Sequence, residues 1–512
     1  MTAGVEHVPV VVIGAGPTGV VAATLLAQYG VESLILDRWT KVYPQPRAVH
    51  LDDEVFRVLA RLGVADQFAA ISRPALGLRL LDGRMRTLAE FTRDTGLSRN
   101  GFPQANMFDQ PAIEALLRTN LQRHPEAALR GGVEVTDVLE DGPDRVLVTY
   151  SDRTTGDERT VTADYVLGCD GANSLTRSRI GAAMDDLGFE QRWLVVDVET
   201  VADLRQWEGV HQVCDPARAA TYMRIGGARY RWEFRLLDGE SAADFDTLDA
   251  LGPLLRPWVG RVGADELELV RVTEYTFRAQ LADRWRRGRV FLLGDAAHLT
   301  PPFVGQGMGA GMRDAMNLAW KLAAVLDGTL GSAVLDTYQQ ERKPHTRNVI
   351  RVALAVGHVM TSGGRTGSVI RRAILPRLRR LPGVSAKVLD SRTPALRTSA
   401  LIRRSRAPWS LGGTLCPNPV TGGGRLDAEL GIGFAVVTRA APGPVEHDLI
   451  ERRGAVLHVA GPGTELARWL KRGHAAAAIL RPDRTVLAAG RSLVDLCEAL
   501  PELHAHQMRS RA

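Results

Sequence analysis

Val10-Val11-Val12-Ile13-Gly14-Ala15-Gly16-Pro17-Thr18-Gly19 decides the fold of this chain. The apolar run reads as a buried parallel strand. Gly14 permits the tight turn, Gly16 lets a diphosphate approach the backbone, and Gly19 lets the next helix pack closely on the strand. That helix is predicted from Val20 to about Tyr29, with Ala22, Ala23, Leu25, Leu26 and Ala27 for packing and Gly30 as its stop. Free N–H groups and the dipole at its start favour an anion. Ser33-Leu34-Ile35-Leu36 is the predicted second strand, and Asp37 ends it 18 residues beyond Gly19. A carboxylate there can accept both hydroxyls of an adenosine ribose and would repel a 2′-phosphate. The unit is a βαβ dinucleotide site, not merely a glycine-rich turn.

About 280 residues on, a second apolar run, Val290-Phe291-Leu292-Leu293, leads into Gly294-Asp295-Ala296-Ala297-His298, then Pro301-Pro302 and Gly305-Gln306-Gly307. The two motifs in this order point to FAD, held along its length by one folded unit. Gly305, Gly307, Gly309 and Gly311 leave backbone uncovered ahead of a helix predicted from Met312 to Leu326. A helix N-terminus there would stabilise the negative charge of a reduced flavin near N1 and O2. Between the motifs lies Tyr165-Val166-Leu167-Gly168-Cys169-Asp170-Gly171-Ala172-Asn173-Ser174, followed by Arg177.

With these three motifs the chain resembles the class A, single-component flavoprotein aromatic hydroxylases. It is most similar to the branch of 3-(3-hydroxyphenyl)propanoate hydroxylases. Pro46-Arg47-Ala48-Val49 with Asp52-Asp53-Glu54, Gln191 to Asp197, Cys214 to Arg218, Arg231-Trp232-Glu233-Phe234, and Met312 to Ala315 with Asn317 to Leu322 carry that likeness. The resemblance covers residues 8 to 360 well and the remainder in outline. It implies that Asp37 and Arg38 lie by the adenosine ribose and Arg47 by the pyrophosphate or flavin edge. It places Gln110 on the ribityl chain, Asp170 against both FAD and a passing nicotinamide cofactor, and Asp295 on a ribityl hydroxyl. The turn Pro302 to Gly309, including Gly305, Gly307 and Met308, would offer backbone N–H groups to the isoalloxazine. The implied reaction uses NADH or NADPH as a transient reductant and O2 as co-substrate. A C4a-hydroperoxyflavin then hydroxylates an electron-rich ring, the cofactor doing the hard step.

Composition is ordinary for a globular chain: 512 residues, 45% hydrophobic, 24% charged, net charge +6. No apolar stretch is long enough for a membrane span. Glu6 and the absence of Lys or Arg ahead of the first strand argue against a signal peptide. Cys169, Cys214, Cys416 and Cys497 are scattered without CxxC, so neither a metal site nor a disulfide framework is expected, and a cytoplasmic location fits. Residues 365 to 406 hold 11 Arg and one Lys against Asp390 alone. No aromatic residue interrupts them, so a solvated connection is expected there and no nucleic acid.

The predicted fold class is therefore α/β. A Rossmann-like, para-hydroxybenzoate hydroxylase-like FAD domain occupies residues 1–185 and, with a helical connection, 286–400. A mostly antiparallel β-sheet substrate domain, 186–285, is inserted into it. The Gly- and Pro-rich bend around Gly412-Gly413 opens a small α/β domain, 410–512, that resembles the thioredoxin-like C-terminal domain of related hydroxylases but lacks CxxC, suited to packing or to assembly as a homodimer.

Ring activation favours a phenolate, so a base or acceptor should face the substrate hydroxyl. His50 is the best candidate for the base, although a histidine satisfied by local backbone or solvent is the more ordinary reading. His298, within the second motif, reads as structural. His211, Tyr222, Arg224, Arg231 and Trp232 are candidate substrate contacts, with core positions or exposed strand arginines as the plain alternatives, and Trp193 reads as core or pocket wall. The expected substrate is a small phenolic acid such as a 3-hydroxyphenylpropanoate. The alternatives are a larger aromatic polyketide or antibiotic, a non-oxygenating FAD oxidoreductase, and a non-catalytic FAD-binding module.

Overall fold

The computed structural model describes residues 5–44, 47–93, 95–361 and 393–501. Strand β1 (Glu6–Ile13) runs into helix α1 (Pro17–Gln28) and returns as β2 (Ser33–Asp37), which pairs with β1 in parallel. On its other side β1 pairs in parallel with Glu158–Gly168, and that strand with Val290–Leu292. Three motif-bearing strands thus stand side by side, and each ends at its glycine turn. Val10, Val11 and Val12 are fully buried, as a parallel strand covered on both faces requires. The edge Ala127–Gly131 completes the row, and a hairpin of Val133–Asp141 and Arg145–Asp152 turns between Asp141 and Arg145.

The second sheet has eight strands. Its centre is β4 (Met184–Glu199), β5 (Val210–Val213), β6 (Ala220–Arg224), β7 (Arg229–Arg235) and β8 (Glu268–Ala282), all antiparallel to one another where they pair. The expected strands are present, but the insert does not build the sheet alone. Strand β3 (Gly77–Leu81) joins β5 in parallel and brings Thr87–Thr92 with it. Helix α2 (Leu248–Val259) covers one face, where Leu194, Val196, Tyr222, Trp232, Phe234 and Trp258 form a core.

The chain returns to the first sheet and continues as α3 (Gly307–Leu326) and α4 (Asp336–Thr361). Helix α3 begins five residues before the predicted Met312, so Gly309 and Gly311 lie inside its first turns. The reason is close packing. A Cβ on Gly309 would stand 2.9 Å from Val55 Cγ2, and one on Gly311 only 2.2 Å from Thr18 Oγ1. The basic segment lies outside the described residues from 365 to 392; its remainder, 393–406, leads into the last domain.

That domain has strands β9 (Ala435–Thr438), β10 (Val456–Val459), β11 (Ala477–Leu480) and β12 (Val486–Gly490) in the order β10-β9-β11-β12. Only the β9–β10 pair is parallel. This domain is fastened to α3 and α4 by a buried ion pair, Arg481 to Glu341 at 2.9 Å, whose carboxylate Lys321 of α3 also meets at 2.9 Å, and by Trp320 edge-on to Phe434. Among the described residues no helix is long and apolar enough to cross a membrane, and no group of three or more His, Cys, Asp or Glu could hold a metal ion. All four cysteines are free.

Candidate active site

The first turn has the geometry that a diphosphate needs. Gly14 sits at φ 101°, and a Cβ there would strike the Cys169 carbonyl at 2.5 Å. A Cβ on Gly19 would lie 2.0 Å from the Gly14 carbonyl, so helix and strand touch. Gly16 differs: nothing stands within 4 Å of its missing Cβ. It caps α1 with no side-chain bond, Pro17 follows at the first helical position, and the first turn has no acid. An open, uncapped N-terminus on a 12-residue helix is a fitting cradle for a pyrophosphate.

Asp37 stands at the mouth of this turn, its carboxylate accepting from Ala15 N at 2.6 Å and Trp39 N at 2.7 Å. The neighbouring Arg38 goes elsewhere: it is an exposed side chain 3.8 Å from Glu134. Gln110 clamps the segment after the first domain's crossover. Its Oε1 accepts from Arg47 N at 2.9 Å and from Ala48 N, and its Nε2 donates to Glu114 at 2.6 Å. Asp170 accepts from Ser174 Oγ, Thr176 N and Thr176 Oγ1, capping the short helix Leu175–Arg179. Arg177 then donates to the Ala296 carbonyl at 3.1 Å and ties this motif to the next.

The two glycine motifs meet at Thr18. Its Oγ1 lies within 3 Å of where a Cβ would stand on either Gly294 (φ 60°) or Gly311. Asp295 follows Gly294, deep in the molecule yet open to solvent, as a group lining a cleft would be. Burial raises its pKa, opposed by His298 and Arg47, and its carboxyl has no hydrogen bond with a described residue. It suits a cofactor hydroxyl. His298 does not line the cleft. It is fully buried, with Nε2 2.8 Å from Asp314, and Asp314 also accepts from Gly294 N and Arg342 Nε. Sequence reasoning missed Asp314 as the hub that fixes the Gly-Asp turn.

The Pro302–Val304 turn ends at Gly305, φ 60°, against His50: a Cβ on Gly305 would meet His50 Nδ1 at 2.7 Å. Arg93 Nη1 lies 3.3 Å from His50 Nε2. A guanidinium only donates, so Nε2 is the acceptor and Nδ1 carries the proton, facing the turn. Burial, then Arg93, pushes His50 down to about 4. Beside it Asp52 accepts from Arg313 Nη2 and from Gln306 Nε2 at 2.8 Å, locking the strand His50–Asp52 to the start of α3. Burial would raise the Asp52 carboxyl, but Arg313 outweighs it and holds it below its usual range.

Strand parity sorts the candidate substrate residues. Successive side chains alternate between sheet faces. Tyr222, Trp232 and their neighbour His211 (5.0 Å from Tyr222, ring to ring) take the face toward α2, away from the glycine turns. These three are corrected from substrate contacts to core. Arg224 is also redirected, to Glu208 at 3.0 Å and the Gly227 carbonyl. The opposite face carries Arg231, which donates to Asp197 at 2.7 and 2.8 Å and to the Arg47 carbonyl at 3.1 Å. It also carries Glu233, Thr221, Gln212, Val195 and Trp193. Phe303 of the flavin turn packs 6.3 Å from Trp193, ring to ring. Glu233, Thr221 and Gln212 were not anticipated. The signal was present: in Arg229-Tyr230-Arg231-Trp232-Glu233-Phe234-Arg235 charge and aromatic alternate, and the aromatics belong to the core.

The FAD binding domain family matches residues 7–353, two thirds of the chain. The chain belongs to the FAD-dependent aromatic hydroxylases. A probable NADH-specific resorcinol 4-hydroxylase of Rhodococcus jostii (strain RHA1) is 34% identical over 98% of this chain and 96% of its own. A 3-(3-hydroxy-phenyl)propionate/3-hydroxycinnamic acid hydroxylase of Mycobacterium sp. (strain JLS) is 35% identical, covering 89% of this chain and 81% of that one. The crystal structure of the flavin-dependent monooxygenase PieE with FAD and substrate superimposes with a TM-score of 0.77 at 23% identity over 98% of this chain and 99% of its own. In this hydroxylase FAD is the cofactor, NAD(P)H the reductant and O2 the co-substrate.

Proposed function

We propose that this hydroxylase adds one oxygen atom to a small, single-ring phenol, with NADH as reductant. One observation carries the reading: on the sheet face opposite α2, the polar Glu233, Thr221 and Gln212 lie between two apolar groups, Trp193 with Phe303 and Met223 with Ile225, Val49 and Met107. A few polar groups set among apolar ones are the composition of small-ligand sites. Relatives named for resorcinol and hydroxyphenylpropionate, each a single ring, support the same size class.

FAD supplies the reducing and oxygenating chemistry when bound. The protein's residues orient and enclose. Gly16 and the start of α1 would hold the pyrophosphate, Asp295 a hydroxyl of the ribityl chain, and Gly305 with the N-terminus of α3 the pyrimidine end. Gln110 and Arg231 fix the Arg47 backbone between cofactor and sheet. Asp37 remains the proposed ribose acceptor; Arg38 is not included. We read the C-terminal domain as thioredoxin-like, since β-α-β-α-β-β-α connectivity and the mixed order β10-β9-β11-β12 support that topology.

The test is NADH and NADPH oxidation by the holoenzyme across a panel of dihydric phenols and phenolic acids, with product mass checked for one added oxygen. Stoichiometric product from a single-ring phenol supports the reading. NADH oxidation that yields only peroxide with every phenol overturns it.

A further inference from the structure

The flavin-facing side of the sheet holds one carboxyl with no protein donor. Glu233 lies on β7 between Thr221 of β6 and Val195 of β4, and only 8% of it is exposed. Its carboxyl makes no hydrogen bond with a described residue. Its acidic neighbours on the same sheet face are engaged, Asp197 with Arg231 and Glu199 with Arg229, which also holds Asp109 at the start of the helix Gln110–Leu121. Arg231 is the cation whose field reaches Glu233, but its guanidinium already serves Asp197 and the Arg47 carbonyl. Burial raises the Glu233 carboxyl above its usual range, opposed by Arg231.

Position gives this carboxyl its meaning. The sheet row on one side of Glu233 (Met223, Arg231, Asp197) is covered by the Arg47–Val49 segment. On the other side stands Trp193, against Phe303 of the flavin turn. Glu233 therefore lies between the row covered by Arg47–Val49 and the row that meets Phe303, on the sheet face those two segments share. A carboxyl held this deep without a protein donor is open to a ligand that brings one. A phenol brings an O–H. His50 cannot accept that proton, because its Nε2 lone pair receives Arg93 and its Nδ1 already carries a hydrogen.

We propose that Glu233 is the catalytic residue that receives the substrate's ring hydroxyl, a role resting on the phenol-hydroxylase reading above. Its carboxylate accepts the hydrogen bond and then the proton. The phenolic O–H bond breaks, an O–H bond forms on Glu233, and the electron pair stays on the ring oxygen, enriching the ortho and para carbons. As the new C–O bond forms, the hydrogen on the attacked carbon leaves as a proton, the ring oxygen takes its proton back from Glu233, and the product departs neutral with one more ring hydroxyl. NADH, O2 and one proton are the other reactants, and the second oxygen atom of O2 leaves as water. A substrate carboxylate at this position would meet a like charge, so the hydroxyl, not an acid group, belongs at the centre of the sheet.

The test compares wild-type holoenzyme with Glu233→Gln and Glu233→Asp, on resorcinol and on a fluorinated resorcinol that ionises more readily. Product formation is measured, and so is the ultraviolet difference spectrum of phenol bound to oxidised enzyme without NADH. Glu233→Gln should keep its FAD and its melting temperature and lose about 10²–10⁴-fold in product from resorcinol. It should recover at least tenfold on the fluorinated phenol, which needs less help to ionise. Glu233→Asp should fall between. The wild-type spectrum should show a phenolate-like band that Glu233→Gln lacks. Equal loss on both phenols, or no loss, overturns the proposal. Should Glu233→Gln fail to fold, the wild-type spectrum decides, and absence of the band there overturns it. A wild type inert to every phenol sinks both the functional reading and this assignment; a wild type matched by Glu233→Gln on resorcinol sinks the assignment alone.

Discussion

Arg231 Nη1 donates to the carbonyl of Arg47 at 3.1 Å, across 184 residues of sequence. One buried guanidinium therefore joins the second sheet to the segment that Gln110 also clamps. Its ion pair with Asp197 is almost wholly excluded from water. Removing one partner of such a pair leaves the other charged and unmatched. Arg231→Met should cost about 3–5 kcal/mol in thermal or denaturant unfolding. It should also raise KM for the phenol, because the Arg47 segment loses its tether. An unchanged melting curve would show that the pair contributes nothing net.

Gly16 and Gly311 separate cofactor binding from folding. Gly16 has open space above it and an ordinary φ of −70°, so Gly16→Ala should fold as the wild type does yet bind FAD at least tenfold more weakly. At Gly311 an added methyl would sit 2.2 Å from Thr18 Oγ1 and 3.1 Å from Gly294 Cα. Gly311→Ala should destabilise the apoprotein itself by about 1–3 kcal/mol, as overpacking does. Apoprotein melting and flavin titration together distinguish the two outcomes.

His211 is buried beside Trp207 and Tyr222 and faces Arg79, and burial, then Arg79, lowers it to about 4. The unfolded chain takes up a proton near pH 6.5 that the folded chain refuses. Stability is thus complete above about pH 6.5 and declines as pH falls toward 4, by up to about 3 kcal/mol for this group. His211→Asn should flatten the fall of melting temperature over that window. A parallel shift of the whole profile, its slope intact, would assign the acid sensitivity elsewhere.

Trp320 of α3 is 3% exposed and packs edge-on against Phe434, 5.5 Å between rings. Trp320→Ala should cost about 3–5 kcal/mol. Because the contact spans the flavin and C-terminal domains, unfolding should also lose its single transition, which differential scanning calorimetry would show as two peaks.

The early βαβ unit was legible because its evidence is local. A strand, a turn glycine and a helix start are properties of one short stretch, Val10 to Asp37, and β1, α1 and β2 fall within a few residues of their predicted bounds. The start of α3 was placed five residues late because glycine weakens the helical signal of its own neighbourhood. Packing against Thr18 and Val55 overrode that propensity.

Sequence by itself determined which groups could bind a dinucleotide, since each glycine turn carries its own steric reason. Tertiary structure alone decided which strand residues look toward the cofactor. Tyr222 and Trp232 are as aromatic as any pocket wall, yet the period of two along a strand and the cover of α2 turn them inward. Only the docking of one sheet on two distant segments, Arg47–Val49 and Phe303, gives Glu233 its place. Which way a side chain faces is set by what lies across from it, and that neighbour is remote in the chain.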